Sequence, residues 1–119
     1  MLRPNNKAVE TWVMDEHVMV NITQSGCADF VAAYVFTVTG DPHAAEDRAY
    51  WLRRGSGLLL QLPIAPDEQK TRDLIAQAVK NLADKNLNRV EISETDSVEG
   101  QASASSRGIV VRIQYTVVL

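Results

Sequence analysis

The most regular alternation of apolar and polar residues lies at the end of the chain, over residues 109–119. Every second residue there is apolar, namely Ile109, Val111, Ile113, Tyr115, Val117 and Leu119. A period of two is typical of a β-strand with one buried face. The residues in between include Val110 and Val118, and Arg112 carries the only charge. The pattern predicts a long C-terminal strand, either central in a sheet or at an edge that a partner strand could extend.

A helical period precedes this strand, between Thr71 and Lys85. Its apolar residues are Leu74, Ile75, Ala78, Val79 and Leu82. This spacing places them on one face of an amphipathic helix. We expect Asp67 or Thr71 to provide the N-cap and Asn86 to lie at the C-terminal end.

A short alternating segment, residues 89–93, separates this helix from a stretch rich in Ser, Ala and Gly. That stretch, residues 99–108, has the composition of a loop. We therefore expect strands near 90–97 and 109–118 to pair antiparallel, with the helix over residues 71–86 packed on their apolar face.

The first half of the chain gives weaker patterns. Residues 8–22 contain two apolar runs separated by Asp15-Glu16, which predicts a hairpin, although no glycine is present to favour a tight primed turn. After it, Asp29 could cap a short helix over residues 30–36. The β-branched and aromatic residues 34–39 favour a strand equally well, and local rules leave both open.

The middle of the chain is polar from His43 to Arg54 and then turns apolar. Gly55-Ser56-Gly57 predicts a turn, and the short run Leu58–Leu62 before Pro63 predicts a buried strand or turn. Taken together, the patterns predict one α+β domain over residues 1–119. It would contain an N-terminal hairpin and an amphipathic helix packed on an antiparallel sheet with a long C-terminal strand.

The composition narrows the classes of function. With 45% hydrophobic and 23% charged residues, the chain has the composition of a folded globular protein. Its net charge of −3 argues against nonspecific binding of nucleic acid. Cys27 is the only cysteine, which excludes an intrachain disulfide and a zinc site of paired cysteines. No apolar run is long enough to predict a membrane-spanning helix.

Two histidines are candidate metal ligands. On a helical turn, His43 would lie near Glu46 or Asp47, but the segment offers no further His or Cys as a third ligand. His17 follows Asp15-Glu16, and neighbouring residues of a strand point to opposite faces, so these three side chains cannot converge. Solvent-exposed polar surface is the favoured interpretation for both histidines.

Other reactive residues also lack the partners that catalysis needs. Residues 53–57 (Arg-Arg-Gly-Ser-Gly) could hold a phosphate, but they lack the Lys-Ser/Thr ending of a phosphate-binding loop, and a turn with two surface arginines is favoured. Cys27 is interpreted as a small core residue. The acidic residues of the later strands are interpreted as a solvated face, namely Glu91, Glu94, Asp96 and Glu99. We predict no catalytic site, metal site or cofactor.

The second half of the chain resembles a known family. The resemblance rests on residues 55–60 (Gly-Ser-Gly-Leu-Leu-Leu), the helix from Thr71 to Asn86, the segment Asn88-Arg89-Val90-Glu91-Ile92 and the alternating strand 109–117. These are similar to parts of the small lysozyme-like wedge proteins of contractile phage-tail baseplates. Glu10-Thr11-Trp12 is similar to the start of a Mu-like branch of that family.

The resemblance implies a structural protein without enzymatic turnover, located in the tail baseplate of a virion and made in the host cytoplasm. It implies other baseplate subunits or sheath proteins as partners, bound partly by strand exchange, with no role for nucleic acid or membrane and with self-association left open. The candidate interaction residues are Arg89, Val90, Arg112, Ile113, Tyr115 and Val117. Arg89 would form a charge-assisted bond to a partner or contact the carbonyls at the helix end.

Three alternatives remain at this point. Another small tail protein, such as a terminator or completion protein, would form a ring on its own. A small ligand-binding or metal-binding domain would use His43, Glu46, Asp47 and the turn at Arg53-Arg54. A binding module with an unidentified partner is the third.

Overall fold

The computed structural model describes residues 8–26, 29–63 and 66–118. Its strands are β1 (Ala8–Asp15), β2 (Val18–Gly26), β3 (Asp29–Val38), β4 (Arg89–Glu91), β5 (Asp96–Ser105) and β6 (Gly108–Val118). Its helices are α1 (Arg48–Gln61) and α2 (Gln69–Lys85), and a short 3₁₀ turn, Pro66–Glu68, leads into α2. The α+β class is confirmed, with the sheet as the larger part.

The six strands form one antiparallel sheet in the order β1-β2-β3-β6-β5-β4. The predicted N-terminal hairpin is present as β1 and β2. Residues 30–38, for which helix and strand were equally favoured, form a strand that pairs with β2 and β6. The C-terminal strand β6 is central, since β3 and β5 both pair with it, and extension of β6 by a partner is therefore excluded in this fold.

The Ser/Ala/Gly-rich stretch is a strand, so the prediction of a loop over residues 99–108 is wrong. Gly100 faces the helices so closely that an added Cβ would lie 2.8 Å from Leu52 and 3.3 Å from Leu82. Small side chains here permit close packing of helices on the sheet. The expected direct pairing of the strands near 90 and 109 is also wrong, because β5 lies between β4 and β6.

The predicted turn at Gly55-Ser56-Gly57 is wrong, and so is the buried strand or turn predicted after it, because residues 55–61 continue α1. A Cβ on Gly55 would lie 2.9 Å from Val111 and 3.1 Å from Ile113, so this glycine brings α1 close to β6. The hydroxyl of Ser56 donates to the carbonyl of Ala76 at 2.7 Å, which joins α1 to α2. The leucine run supplies the buried face of the helix end.

The amphipathic helix is confirmed as α2. Asn86 ends it in the left-handed conformation, with φ of 54°, which asparagine tolerates better than most residues. The N-cap position is held by Glu68 without a side-chain capping bond, and not by Asp67 or Thr71.

The core lies between the helices and one face of the sheet. Its largest fully buried side chains are Trp51, Phe36, Leu52, Leu59, Ile75, Leu82 and Ile113. No helix in the described part of the chain is long and apolar enough to cross a membrane.

Candidate functional site

The strand β1 forms one edge of the sheet and carries exposed apolar side chains. Val13 is 72% exposed and Val9 56% exposed. Val13 lies directly opposite Met19 of β2, which is 37% exposed. Since Val18 and Val20 point into the core, strand alternation places these three apolar residues on the face away from the helices.

This edge has few of the features that normally prevent a strand from pairing with another chain. Natural edge strands are usually short, or carry lysine or proline. In contrast, β1 has eight residues with neither, and Glu10 and Asp15 are its only charges. The register shifts between Val13 and Asp15, close to the hairpin turn. The longer part of the edge, residues 8–13, follows a regular register and offers its outward main-chain groups to a partner.

The opposite edge is much better covered. The strand β4 has three residues, and the side chains of Arg89 and its cross-strand neighbour Glu99 approach to 3.9 Å. Beyond β4, the guanidinium of Arg48 donates to the carbonyl of Gly100 at 3.1 Å and also to the carbonyl of Leu87. A short strand, a charged pair and a side-chain bond to the next strand leave little of this edge open.

The sequence-predicted interaction residues do not form one surface. Ile113 is fully buried and Tyr115 is 8% exposed, both beneath the helices, and Val117 packs against the same core. In this conformation a partner cannot reach Ile113 or Tyr115. Arg112 is exposed on the open face, where it donates to Gln114 at 3.2 Å.

The remaining pair of predicted interaction residues, Arg89 and Val90, lies on β4. Arg89 is exposed and Val90 half-buried, at the well-covered edge. One of the two roles considered for Arg89 was contact with carbonyls at the end of the helix. In the structure Arg48 bonds the carbonyl of Leu87, just after the end of α2.

A second candidate region is an open cleft of about 280 Å³ between the β1–β2 turn and the start of α1. Asp41 lies in its wall with 11% of its side chain exposed. One carboxylate oxygen accepts from the amide of His43 at 2.9 Å and from its Nδ1 at 2.8 Å, and the other accepts from the hydroxyl of Tyr50. The rings of His43 and Tyr50 stack at 3.5 Å.

These bonds determine the electrostatics of Asp41. The hydrogen bond from Tyr50, helped by the amide of His43, lowers the pKa of Asp41 to about 2, because each donor stabilises the charged carboxylate. The same bond raises the pKa of Tyr50. Asp41 is thus a carboxylate at neutral pH, and its two oxygens are already occupied by protein donors.

Arg54 lies in the same cleft with an unused hydrogen-bonding group. Its Nε is covered from solvent and has no hydrogen-bond partner among the described residues. Asp41 is 3.8 Å away, too far for a hydrogen bond. About one third of the Arg54 side chain is exposed.

The residues considered as candidate metal ligands do not meet. Asp47 caps α1 by accepting from the amide of Tyr50 at 3.3 Å, and His43 is bonded to Asp41. In the ranges that the structure describes, no three His, Cys, Asp or Glu side chains converge as a metal site would require. The prediction for Cys27 lies outside the described residues.

Two members of the cleft, Asp41 and Tyr50, were missed from the sequence. Both lie in a segment without periodicity, and their contact depends on where α1 begins. Of the acidic residues taken as a solvated face, Glu91, Glu94 and Glu99 are exposed. Asp96 instead accepts from the hydroxyl of Tyr115 at 2.5 Å.

Comparison of the chain with protein-family models, with curated proteins and with solved structures found no match. The resemblance to baseplate wedge proteins therefore stays a prediction. The candidate sites rest on the geometry of the chain itself.

Proposed function

We propose that this protein is a structural assembly subunit of a contractile phage tail or phage-like particle, and that it binds another baseplate or sheath subunit through β1. The observation that carries the proposal is the edge formed by β1, which is long and apolar and has no strand paired on its outer side among the described residues. A strand added there would form main-chain hydrogen bonds along the edge.

The side chains beside the edge supply the apolar part of such an interface. Val9 and Val13 alternate with Thr11 on the open face, so an added strand would place its own alternate side chains next to them. Burial of apolar surface there would favour binding by about 25 cal/mol per Å² before the costs of association. The function is non-catalytic and needs no cofactor.

The kind of particle comes from the sequence resemblance, and the place of contact comes from the fold. The residue pattern pointed to the C-terminal strand, β6, as the strand for exchange, but β6 is paired on both sides. In the proposal, β1 takes that role. Strand exchange, which the resemblance implies, is thereby retained, and the interface lies at an edge of the sheet instead of at its centre.

A pull-down with the tagged chain tests the proposal in source cells after prophage-inducing DNA damage. We expect mass spectrometry to recover sheath, hub and wedge proteins with the wild type. Val13→Lys places a charge beside the edge and is expected to remove them, since lysine is a common protection of natural edges. Val118→Lys is the matched control, because Val118 is 50% exposed on the same face but lies on central β6.

Two results would contradict the proposal in different ways. Equal recovery of tail proteins by the Val13→Lys and Val118→Lys variants would rule out pairing at β1. A set of captured proteins without tail components would rule out the particle. A closed ring formed by the purified chain alone would favour the terminator or completion type of tail protein over a wedge.

A further inference from the structure

The cleft beside the hairpin turn brings three nitrogen-bearing side chains together from separate parts of the fold. His17 comes from the β1–β2 turn, His43 from the loop after β3, and Arg54 from α1. We propose that this cleft binds a tetrahedral oxyanion of the phosphate class, held by Arg54 together with His17 and His43. The site is separate from the β1 edge and does not depend on the proposed assembly role.

The first step in the argument is the unused capacity of Arg54. A guanidinium has five N–H donors in a planar fork that matches phosphate oxygens. No protein acceptor bonds to Arg54 among the described residues, and its covered Nε has no partner. Its neighbour on α1, Arg53, differs in that it bonds Asp84 through two nitrogens, at 3.1 and 3.0 Å.

The second step concerns Asp41, the anion already in the cleft wall. Both of its oxygens accept hydrogen bonds from His43 or Tyr50, and 11% of its side chain is exposed. It acts as a positioning residue, because its bond to Nδ1 of His43 fixes the ring. Nε2 is then left over, and it donates to an oxyanion in the doubly protonated form of the ring. The charge of Asp41 offsets Arg54 only at 3.8 Å, without a hydrogen bond.

The third step is the location of His17. An added Cβ on Gly40, whose φ is 76°, would lie 3.2 Å from Nδ1 of His17, so glycine lets the ring fold over the loop. The hydroxyl of Thr39 lies 3.5 Å from the same nitrogen. The ring of His17 therefore lines the same cleft as the stacked rings of His43 and Tyr50.

Calorimetric titration of the whole chain with inorganic phosphate and with glycerol phosphate tests the proposal. We expect saturable binding of one anion per chain. Tighter binding of inorganic phosphate would identify free phosphate as the ligand, and tighter binding of glycerol phosphate would identify a phosphate ester. Arg54→Gln should weaken binding at least about tenfold, since it removes charge-assisted bonds. Arg53→Gln, the matched control, should leave the affinity within about twofold, because Arg53 does not line the cleft and is bonded to Asp84.

Sulfate is a third probe, because it is a tetrahedral oxyanion like phosphate. We expect a His17→Gln/His43→Gln variant to bind it more weakly than the wild type does. Near-UV circular dichroism checks folding, and Arg54→Lys, which keeps the charge but not the fork, replaces Arg54→Gln if the latter is unfolded. Absence of saturable binding, or equal affinity in the Arg54 and Arg53 variants, would overturn the proposal.

Discussion

The two edges of the sheet differ in length, chemistry and support. At one edge, β4 has three residues, with a charged pair across it and Arg48 bonded to the carbonyl of Gly100 beyond it. At the other edge, β1 has eight residues and two strongly exposed valines, Val9 and Val13. An open sheet has two edge strands, and here the β4 edge has features that protect it from pairing with another chain, whereas the β1 edge has few.

The helices also contact the two sides of the sheet unequally. Both α1 and α2 contact β5, and α1 also contacts β6, whereas the main neighbour of β1 is β2. Most of the close packing therefore holds β6 and β5 in place, and β1 is attached mainly through its pairing to β2. The comparison suggests that the helix-covered side provides stability and the hairpin side is left open for binding.

The two tryptophans give the largest test of this division. Trp51 is fully buried in α1 and its indole N–H donates to the carbonyl of Ala44 at 2.8 Å, whereas Trp12 on β1 is half-buried. Trp51→Ala should lower the free energy of unfolding by about 3–5 kcal/mol, since it leaves a large cavity. Trp12→Ala should cost about 1–2 kcal/mol, because less apolar surface is lost.

Urea denaturation followed by far-UV circular dichroism measures both values. Dichroism is needed because each variant loses one of the two fluorescent tryptophans. Equal losses for the two variants would mean that β1 contributes as much to stability as the covered side. The division between a stabilising side and an open side would then be wrong.

Two glycines in α1 sharpen the comparison within a single helix. Gly55 faces β6, where an added Cβ would be 2.9 Å from Val111. An added Cβ on Gly57 would have no described atom within 4 Å apart from its chain neighbours and the nearby backbone of its own helix. Gly55→Ala should destabilise the protein by about 1–3 kcal/mol through overpacking. Gly57→Ala should stabilise it by about 0.5–1 kcal/mol, because alanine favours the helix. Thermal unfolding distinguishes the two, and stabilisation by both would contradict close packing of α1 on β6.

Removal of Arg48 tests how the protected edge is maintained. Arg48→Met should cost about 2 kcal/mol, since the carbonyl of Gly100 loses a charged donor in a half-buried place. It should also increase self-association, because part of β5 becomes an open edge. Arg53→Met is the control, as its exposed pair with Asp84 should contribute about 0–1 kcal/mol. Sedimentation velocity checks the second effect, and an unchanged monomer fraction would show that Arg48 does not guard the edge.

The strong periodic patterns in the sequence were good guides to local structure. The period of two over residues 109–119 and the helical period over 71–85 both correspond to elements of the structure, β6 and α2. Such patterns arise because one face of each element is buried, and the first hairpin follows the same logic. What the patterns did not show is which strands pair, so the central location of β6 could not be read from its residues.

The wrong predictions for residues 55–57 and 99–108 have one physical cause. Gly55, Ser56 and Gly57 resemble a turn, and residues 99–108 resemble a loop, because small residues are common in both. In this fold Gly55 and Gly100 are small where helix and sheet approach closely. Local rules depend on the conformational preferences of the backbone and do not include packing against residues that are distant in sequence.

The cleft could not be predicted from the sequence for a related reason. His43 and Arg54 were both considered, but as a metal ligand and as part of a turn. Their actual relation depends on Asp41 and Tyr50, nine residues apart and joined by a hydrogen bond. That contact exists only because α1 begins after Asp47, and the segment before it has no periodic pattern.

The smallest predicted effects come from two Tyr–Asp bonds, one near the hairpin turn and one where β5 begins. Tyr50 donates to Asp41, whose pKa is lowered to about 2, and Tyr115 donates to Asp96, whose pKa is also lowered. A carboxylate with a lowered pKa in the folded state stabilises the fold above its unfolded pKa of about 4. This stabilisation is lost as the pH falls through the folded value.

The pH series therefore compares the two ends of the molecule. For Asp41 the loss should extend from about pH 4 down to about pH 2, and it should be small because the site is close to solvent. Tyr50→Phe should raise the pKa of Asp41 and leave that of Asp96 unchanged. Tyr115→Phe should raise the pKa of Asp96 and leave that of Asp41 unchanged. Carboxyl-carbon NMR titration reads each site separately. A Tyr50→Phe variant in which Asp41 still titrates near pH 2 would show that the Tyr50 bond does not lower this pKa, and the bonds from His43 would then be its main cause.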